Sequence, residues 1–167
     1  MKAIKVLIYI LVITSCNKKS NNINDDEYII NSVLCNSSYE ELYNNEKYMD
    51  SLYELAFKKG DTLAYNKINS LSGLSGNAGK EMFLQQIMAI KYKYSKAYFD
   101  MFNILQINDN VDIRKLSIYY LLKASEMGNK EAIRYRDIYY FTNKPVPTAE
   151  EYFVEKDTSK FVHLNRY

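Results

Sequence analysis

The chain is poor in the residues from which catalytic and metal sites are assembled. Among 167 residues there are two cysteines, one histidine and no tryptophan. Cys16 and Cys35 are too few for a disulfide framework or for a zinc site that needs several thiolates. His163, between Val162 and Leu164, has no evident partners for a metal or a Ser-His pair. HExxH, GxSxG and a Gly-rich phosphate loop are all missing. The reading is therefore of a protein that is not an enzyme, with no catalytic residue, metal ligand or cofactor-binding residue, and no small-molecule substrate.

A strong charge of either sign is also lacking. The sequence holds 22 basic and 20 acidic side chains. Loss of an N-terminal leader containing Lys2 and Lys5 would bring these to balance, so the pI of 8.3 gives no argument for nucleic acid as a partner. Tyrosine is abundant, at 17 residues. It keeps company with plentiful Asn, Lys and Ile, as an AT-rich coding sequence would produce, and so says little about binding.

No apolar stretch at the N-terminus is long enough to span a bilayer as a mature helix. Ile4 to Ile13 is followed at once by Thr14, Ser15, Cys16 and the polar Asn17 to Asn22, whereas a span needs roughly 20 apolar residues. With Lys2 and Lys5 in front, residues 1–15 read as a secretory signal peptide. Its ending, Ile13-Thr14-Ser15-Cys16, resembles the lipobox of bacterial lipoproteins: aliphatic, small, small, then Cys. The resemblance implies cleavage before Cys16 and lipid attachment at its thiol, with two or three acyl chains holding the new N-terminus in a membrane of the cell envelope. Residues 16–27, running through NKKSNNINDDE, bury too little to fold and read as a flexible tether. Cys35 follows Ile29, Ile30, Val33 and Leu34 and reads as a small buried hydrophobe.

Beyond the tether, hydrophobes recur at helical spacing to about Phe141, and Ser38 with Glu41 forms a capping-box pattern ahead of Leu42. Three stretches align: AFKKGDTLAY from Ala56, AIKYKYSKAY from Ala89 and ASEMGNKEAI from Ala124. Each carries alanine at its first and ninth positions, pairing Ala56 with Ala64, Ala89 with Ala97 and Ala124 with Ala132. The units start 33 and 35 residues apart. In each unit the first alanine closes one helix near a turn, with Gly60 or Gly128 as a left-handed cap and Asp61 or Asn129 opening the next helix. Small residues on both helices then permit close backbone approach.

The third unit, YYLLKASEMGNKEA from Tyr119 to Ala132, resembles a Sel-one-like repeat, a relative of the tetratricopeptide repeat. Tyr119 and Tyr120 match its aromatic pair, and Lys123-Ala124, Gly128-Asn129 and Ala132 match its turn. The first unit keeps Ala56, Gly60, Asp61, Ala64 and Tyr65 but has Ser51 and Leu52 at the aromatic pair. The middle unit has Lys93 at the turn glycine, and the third has Arg136 and Asp137 where the pattern has Leu-Gly. The resemblance implies an all-α fold of about three antiparallel helix pairs in a short right-handed superhelix. The spacing predicts pairs at 46–59 with 62–72, 78–93 with 95–107, and 111–127 with 130–142. Ser72 to Asn77 and Asn108 to Asn110 read as the intervening loops. The domain reading is a helical repeat body over 28–144, then a capping helix and tail over 145–167 that start with a Thr148–Glu151 capping box.

The Lys-Tyr run KYKYSKAY from Lys91 to Tyr98 reads first as Lys stems lying over Tyr rings. The acidic pairs Asp25-Asp26, Glu40-Glu41 and Glu150-Glu151 read as tether or helix-start residues. Together these features describe a lipid-anchored envelope protein that binds a protein or peptide partner, with the membrane reached through the N-terminal lipid. An immunity lipoprotein against an interbacterial toxin is the alternative, with a cell-wall binder or envelope enzyme behind it.

Overall fold

A computed structural model describes residues 38–77, 79–141 and 145–156. Every regular element among them is helical, so the fold is all-α. The leader, Cys16, the tether, Cys35, Asp25-Asp26 and His163 lie outside the described residues.

Short polar side chains set the helix starts. Helix α1 (Tyr39–Asn44) begins at a reciprocal box in which the Glu41 N–H donates to Ser38 Oγ and the Ser38 N–H donates to Glu41 Oε2. Asn45 closes α1 and opens α2 (Glu46–Glu54) by accepting from the Tyr48 N–H. Helix α2 widens into a π-turn over Leu55–Lys59 and stops at Gly60, whose φ is +68°. Asp61 then accepts from the N–H groups of Leu63 and Ala64 to start α3 (Thr62–Leu74). The same grammar recurs further along. Helices α4 (Met82–Ile90) and α5 (Ser95–Leu105) flank Lys93 at φ +54°. Helices α6 (Val111–Glu126) and α7 (Lys130–Tyr135) flank Gly128 at φ +79°, and a second π-turn over Arg136–Tyr140 follows α7.

The repeated alanines all lie in the core. Ala56, Ala89, Ala97, Ala124 and Ala132 are fully buried, and Ala64 is 4 % exposed. Four residues after each first alanine, at Gly60, Lys93 and Gly128, the backbone is left-handed. The middle turn thus keeps the conformation of its neighbours although it carries a lysine, a residue that adopts it only at a cost of roughly 1–2 kcal/mol.

Each helix packs mainly on its neighbours in the chain: α1 on α2 and α3, α2 on α3, the first π-turn on α4, α4 on α5, α5 on α6, and α6 on α7. The C-terminal helix α8 (Ala149–Val154) starts at the Thr148–Glu151 box and lies on α6. There Ala149 and Tyr152 join Ile118, Leu122 and Phe141 in a buried cluster. Lys123 of α6 pairs with Glu126 and Glu150, and the Ala149 N–H donates to Glu126 Oε1 at 2.7 Å.

Several helix ends differ by one to four residues from the sequence reading: α4 stops at Ile90 rather than 93, α5 at Leu105 rather than 107, α6 at Glu126 rather than 127, and the last π-turn at Tyr140 rather than 142. Ser72 and Gly73 belong to α3, which runs to Leu74. Ser72 is buried because its hydroxyl and carbonyl hold the O and N–H of Asn77 at 2.8 Å each, so the helix end folds back on itself before the loop proper. Helix α4 begins at Met82 rather than residue 78, since Gly79 adopts φ +92° and cannot be its first turn.

Candidate functional site

Where the first π-turn meets α4, the chain leaves apolar side chains in solvent. Tyr53 and Phe57, four residues apart, stack with centroids 5.7 Å apart, and Phe57 meets Phe83 at 6.0 Å. Phe83, Ile87 and Ile90 fall at i, i+4 and i+7 on α4 and so share one face. Phe83 is 66 % exposed and Ile90 49 %. A groove of about 340 Å³ lies between Phe57, Gln86, Ile87, Ile90 and Lys91.

One end of this groove is basic. Lys59, Lys91 and Lys93 are exposed at the two adjoining turns. The turns are tied together: the Tyr92 hydroxyl donates to the Phe57 carbonyl at 2.6 Å, and the Lys91 ammonium lies 4.7 Å from the Tyr92 ring centre. Lys58 is occupied by Glu54 at 2.6 Å, and that lysine holds the Glu54 carboxyl below the usual carboxylate range.

Behind the groove, the buried Glu81 fixes α2 against the start of α4. Its carboxylate accepts from the Tyr53 hydroxyl at 2.5 Å and from the Tyr43 hydroxyl at 3.5 Å. Burial, with the Glu81 charge beside it, pushes the Tyr53 hydroxyl well above the ordinary tyrosine range. A neutral Tyr53 keeps donating, and so the ring stacked on Phe57 keeps its place.

The Lys-Tyr run is mostly used by the fold. Tyr94 accepts from Asn66 Nδ2 at 3.1 Å and meets Tyr65 edge-on at 5.5 Å. Lys96 pairs with Asp100 at 2.8 Å and lies over the Tyr65 ring, and Tyr98 is buried beside Tyr120. The pairs Glu40-Glu41 and Glu150-Glu151 sit in the first turns of α1 and α8. Among the described residues, three or more His, Cys, Asp or Glu side chains nowhere gather closely enough to hold a metal ion. No helix among them is long and apolar enough to cross a membrane.

Sequence reasoning missed the groove. The available signal was the spacing of Phe83, Ile87 and Ile90 beside that of Tyr53 and Phe57, but periodicity alone cannot tell a covered face from an open one. No family model, curated protein or solved structure matches the chain.

Proposed function

We propose that the chain is a lipid-anchored protein of the bacterial envelope, built from Sel-one-like helix pairs, that binds a protein or peptide partner in the groove between the first π-turn and α4. The observation that carries this reading is the contiguous exposure of Phe83 and Ile90 beside Phe57. Single exposed hydrophobes need no explanation, whereas a joined apolar groove with a polar rim suits a contact surface. The basic end at Lys59, Lys91 and Lys93 favours a partner segment that is apolar with an acidic flank. The ITSC ending and the polar tether support the anchor, which raises local concentration without adding contacts.

The test is crosslinking in intact cells followed by identification of the captured protein, comparing the native chain with Phe83→Glu and Ile90→Glu. Burying either side chain against a partner contributes about 1.5–3 kcal/mol, so each substitution should weaken capture by about one to two orders of magnitude. Ile107→Glu, at a position 83 % exposed outside the groove, is the control and should capture normally. Equal capture by all the variants, or reproducible hydrolysis of an envelope substrate with no protein captured, would overturn the reading.

A further inference from the structure

The apolar groove has a polarity of its own, running from acid through apolar to base. On α2 and the π-turn after it, Glu46, Asp50, Tyr53 and Phe57 follow at intervals of four, three and four residues and so share one stripe. Glu46 and Asp50 are exposed, and Lys47 lies about a quarter turn round the helix from them. The Tyr53–Glu81 bond sets this stripe beside the start of α4, and the Tyr92–Phe57 bond sets the π-turn beside its end. The two helices therefore run in the same direction. Their acidic end lies before Tyr53, while Lys59, Lys91 and Lys93 close the other. Glu54 and Lys58 pair with each other, whereas Glu46, Asp50, Lys59, Lys91 and Lys93 take part in none of the ion pairs among the described residues.

Such a gradient is complementary to itself when reversed. A two-fold axis across the middle of α4, between Gln86 and Ile87, sets Phe83 of one copy against Ile90 of the other in an antiparallel pairing of the two exposed faces. Phe57 lines the groove level with that midpoint. At 1.5 Å per residue, Asp50 lies roughly 10 Å to one side of Phe57 and Lys93 roughly 10 Å to the other side of the axis. Reversal thus brings acid to base at both ends. We propose, on the premise that the groove is the contact surface, that its occupant is a second copy of this chain in an antiparallel two-fold dimer. The second copy presents what the groove selects, apolar side chains with an acidic flank. In such a closed assembly every contact off the axis is made twice.

Other occupants match less of the surface. An anionic lipid surface attracts Lys59, Lys91 and Lys93 but repels Glu46 and Asp50. An uncharged apolar peptide fills the groove and leaves the charges at both ends unused. The proposed lipid anchor raises the local concentration at which copies meet.

Sedimentation equilibrium of the full chain in density-matched detergent, with micelles in molar excess, gives the test. The native chain should show a concentration-dependent equilibrium between monomer and dimer. Phe83→Glu should abolish the dimer, since the substitution acts twice across the axis, and Ile107→Glu, outside the groove, should leave it unchanged. Asp50→Lys, and separately Lys91→Glu combined with Lys93→Glu, should each weaken self-association about tenfold or more through facing like charges. Mixed in equal amounts, these two charge variants should associate with each other at close to native strength, because the reversed ends then face opposite charge. A dimer indifferent to Phe83→Glu, or charge variants that fail to rescue each other, would overturn the proposal. A chain that is monomeric at every concentration would overturn it too. If crosslinking in cells then still captures a different protein that is lost in Phe83→Glu, the groove stands as the surface for that protein; loss of both results would remove the groove reading itself.

Discussion

Gly60 and Gly128 occupy equivalent turns, and alanine at each should destabilise the fold by different amounts for a reason visible in the structure. Both have left-handed backbones, at φ +68° and +79°. Alanine should therefore cost roughly 1–2 kcal/mol at either site through conformational strain alone. At Gly128 a Cβ meets nothing within 4 Å, so that is the whole effect. At Gly60 it would lie 2.3 Å from Tyr92 Cδ1. The ring cannot simply swing away, because its hydroxyl is held by the Phe57 carbonyl at 2.6 Å. Moving it sacrifices that bond and its packing, adding about 1–3 kcal/mol. Gly60→Ala should thus cost about 2–5 kcal/mol and Gly128→Ala about 1–2, measured by denaturant unfolding followed by circular dichroism. The double substitution Gly60→Ala with Tyr92→Ala should recover the steric part, leaving a coupling between the two sites in the cycle. Equal losses at the two glycines, or no coupling, would refute the assignment of Tyr92 as the side chain packed against the Gly60 turn. Lys93→Gly, at the third equivalent turn, should stabilise by less than about 1 kcal/mol, since relief of strain is partly offset by added chain entropy.

Three further outcomes are expected. Ala124→Leu places a larger side chain at a fully buried position and should cost roughly 1–3 kcal/mol by the same unfolding assay. Tyr53, Tyr65 and Tyr140 have hydroxyl pKa values raised above the ordinary 10 by burial, Tyr140 to about 12. Their contribution to stability is complete below the unfolded-state value and is lost as pH rises through the folded-state values, so spectrophotometric titration should show late tyrosinate formation together with alkaline unfolding. Cys16→Ala should abolish labelling by radioactive fatty acid and release the protein from the membrane fraction; persistent labelling would refute the anchor.

What could be read from the sequence was local. Helix starts depend on one side chain and the next three amides, so Ser38, Asp61, Asn129 and Thr148 could be recognised without knowing the tertiary structure. The burial of the spaced alanines was legible because a small apolar residue recurring at one point of each helix is cheaply placed in a core. The turn at Lys93 was harder to read: the chain keeps a glycine-like backbone there without glycine. Ser72-Gly73 misled because loop-favouring residues yield to a helix when a contact just beyond it, here with Asn77 five residues on, closes its end. The groove was invisible for another reason. The α4 sequence MFLQQIMAI is apolar nearly all round, with Leu84, Met88 and Ala89 buried but Met82, Phe83 and Ile90 exposed. Only the neighbouring helices decide which face is covered. Gln85 and Glu81 likewise look like ordinary polar positions until the packing encloses them.

The location of the exposed groove follows from how each junction between helix pairs is filled. Between the second and third pairs, aromatic side chains close the gap: Tyr98 packs on Tyr120, while Phe99 and Phe102 meet Tyr135 edge-on. The far end is sealed by α8, whose Tyr152 is buried against Phe141. Exposed hydrophobes elsewhere, such as Ile107 in the turn after α5 and Val111 at the first position of α6, are single side chains whose exposure is ordinary. Between the first and second pairs, Tyr65 of α3 meets Tyr94 edge-on and bonds Asp100 of α5, while on the α2 side the Tyr92–Phe57 and Tyr53–Glu81 hydrogen bonds hold α4 in place without covering its outer face. Phe83 and Ile90 are left beside Phe57 with no further helix among the described residues to bury them. Because each helix packs mainly on its chain neighbours, filling that gap from outside need not disturb the rest of the core, the condition under which a rigid helical scaffold can accept a partner without unfolding.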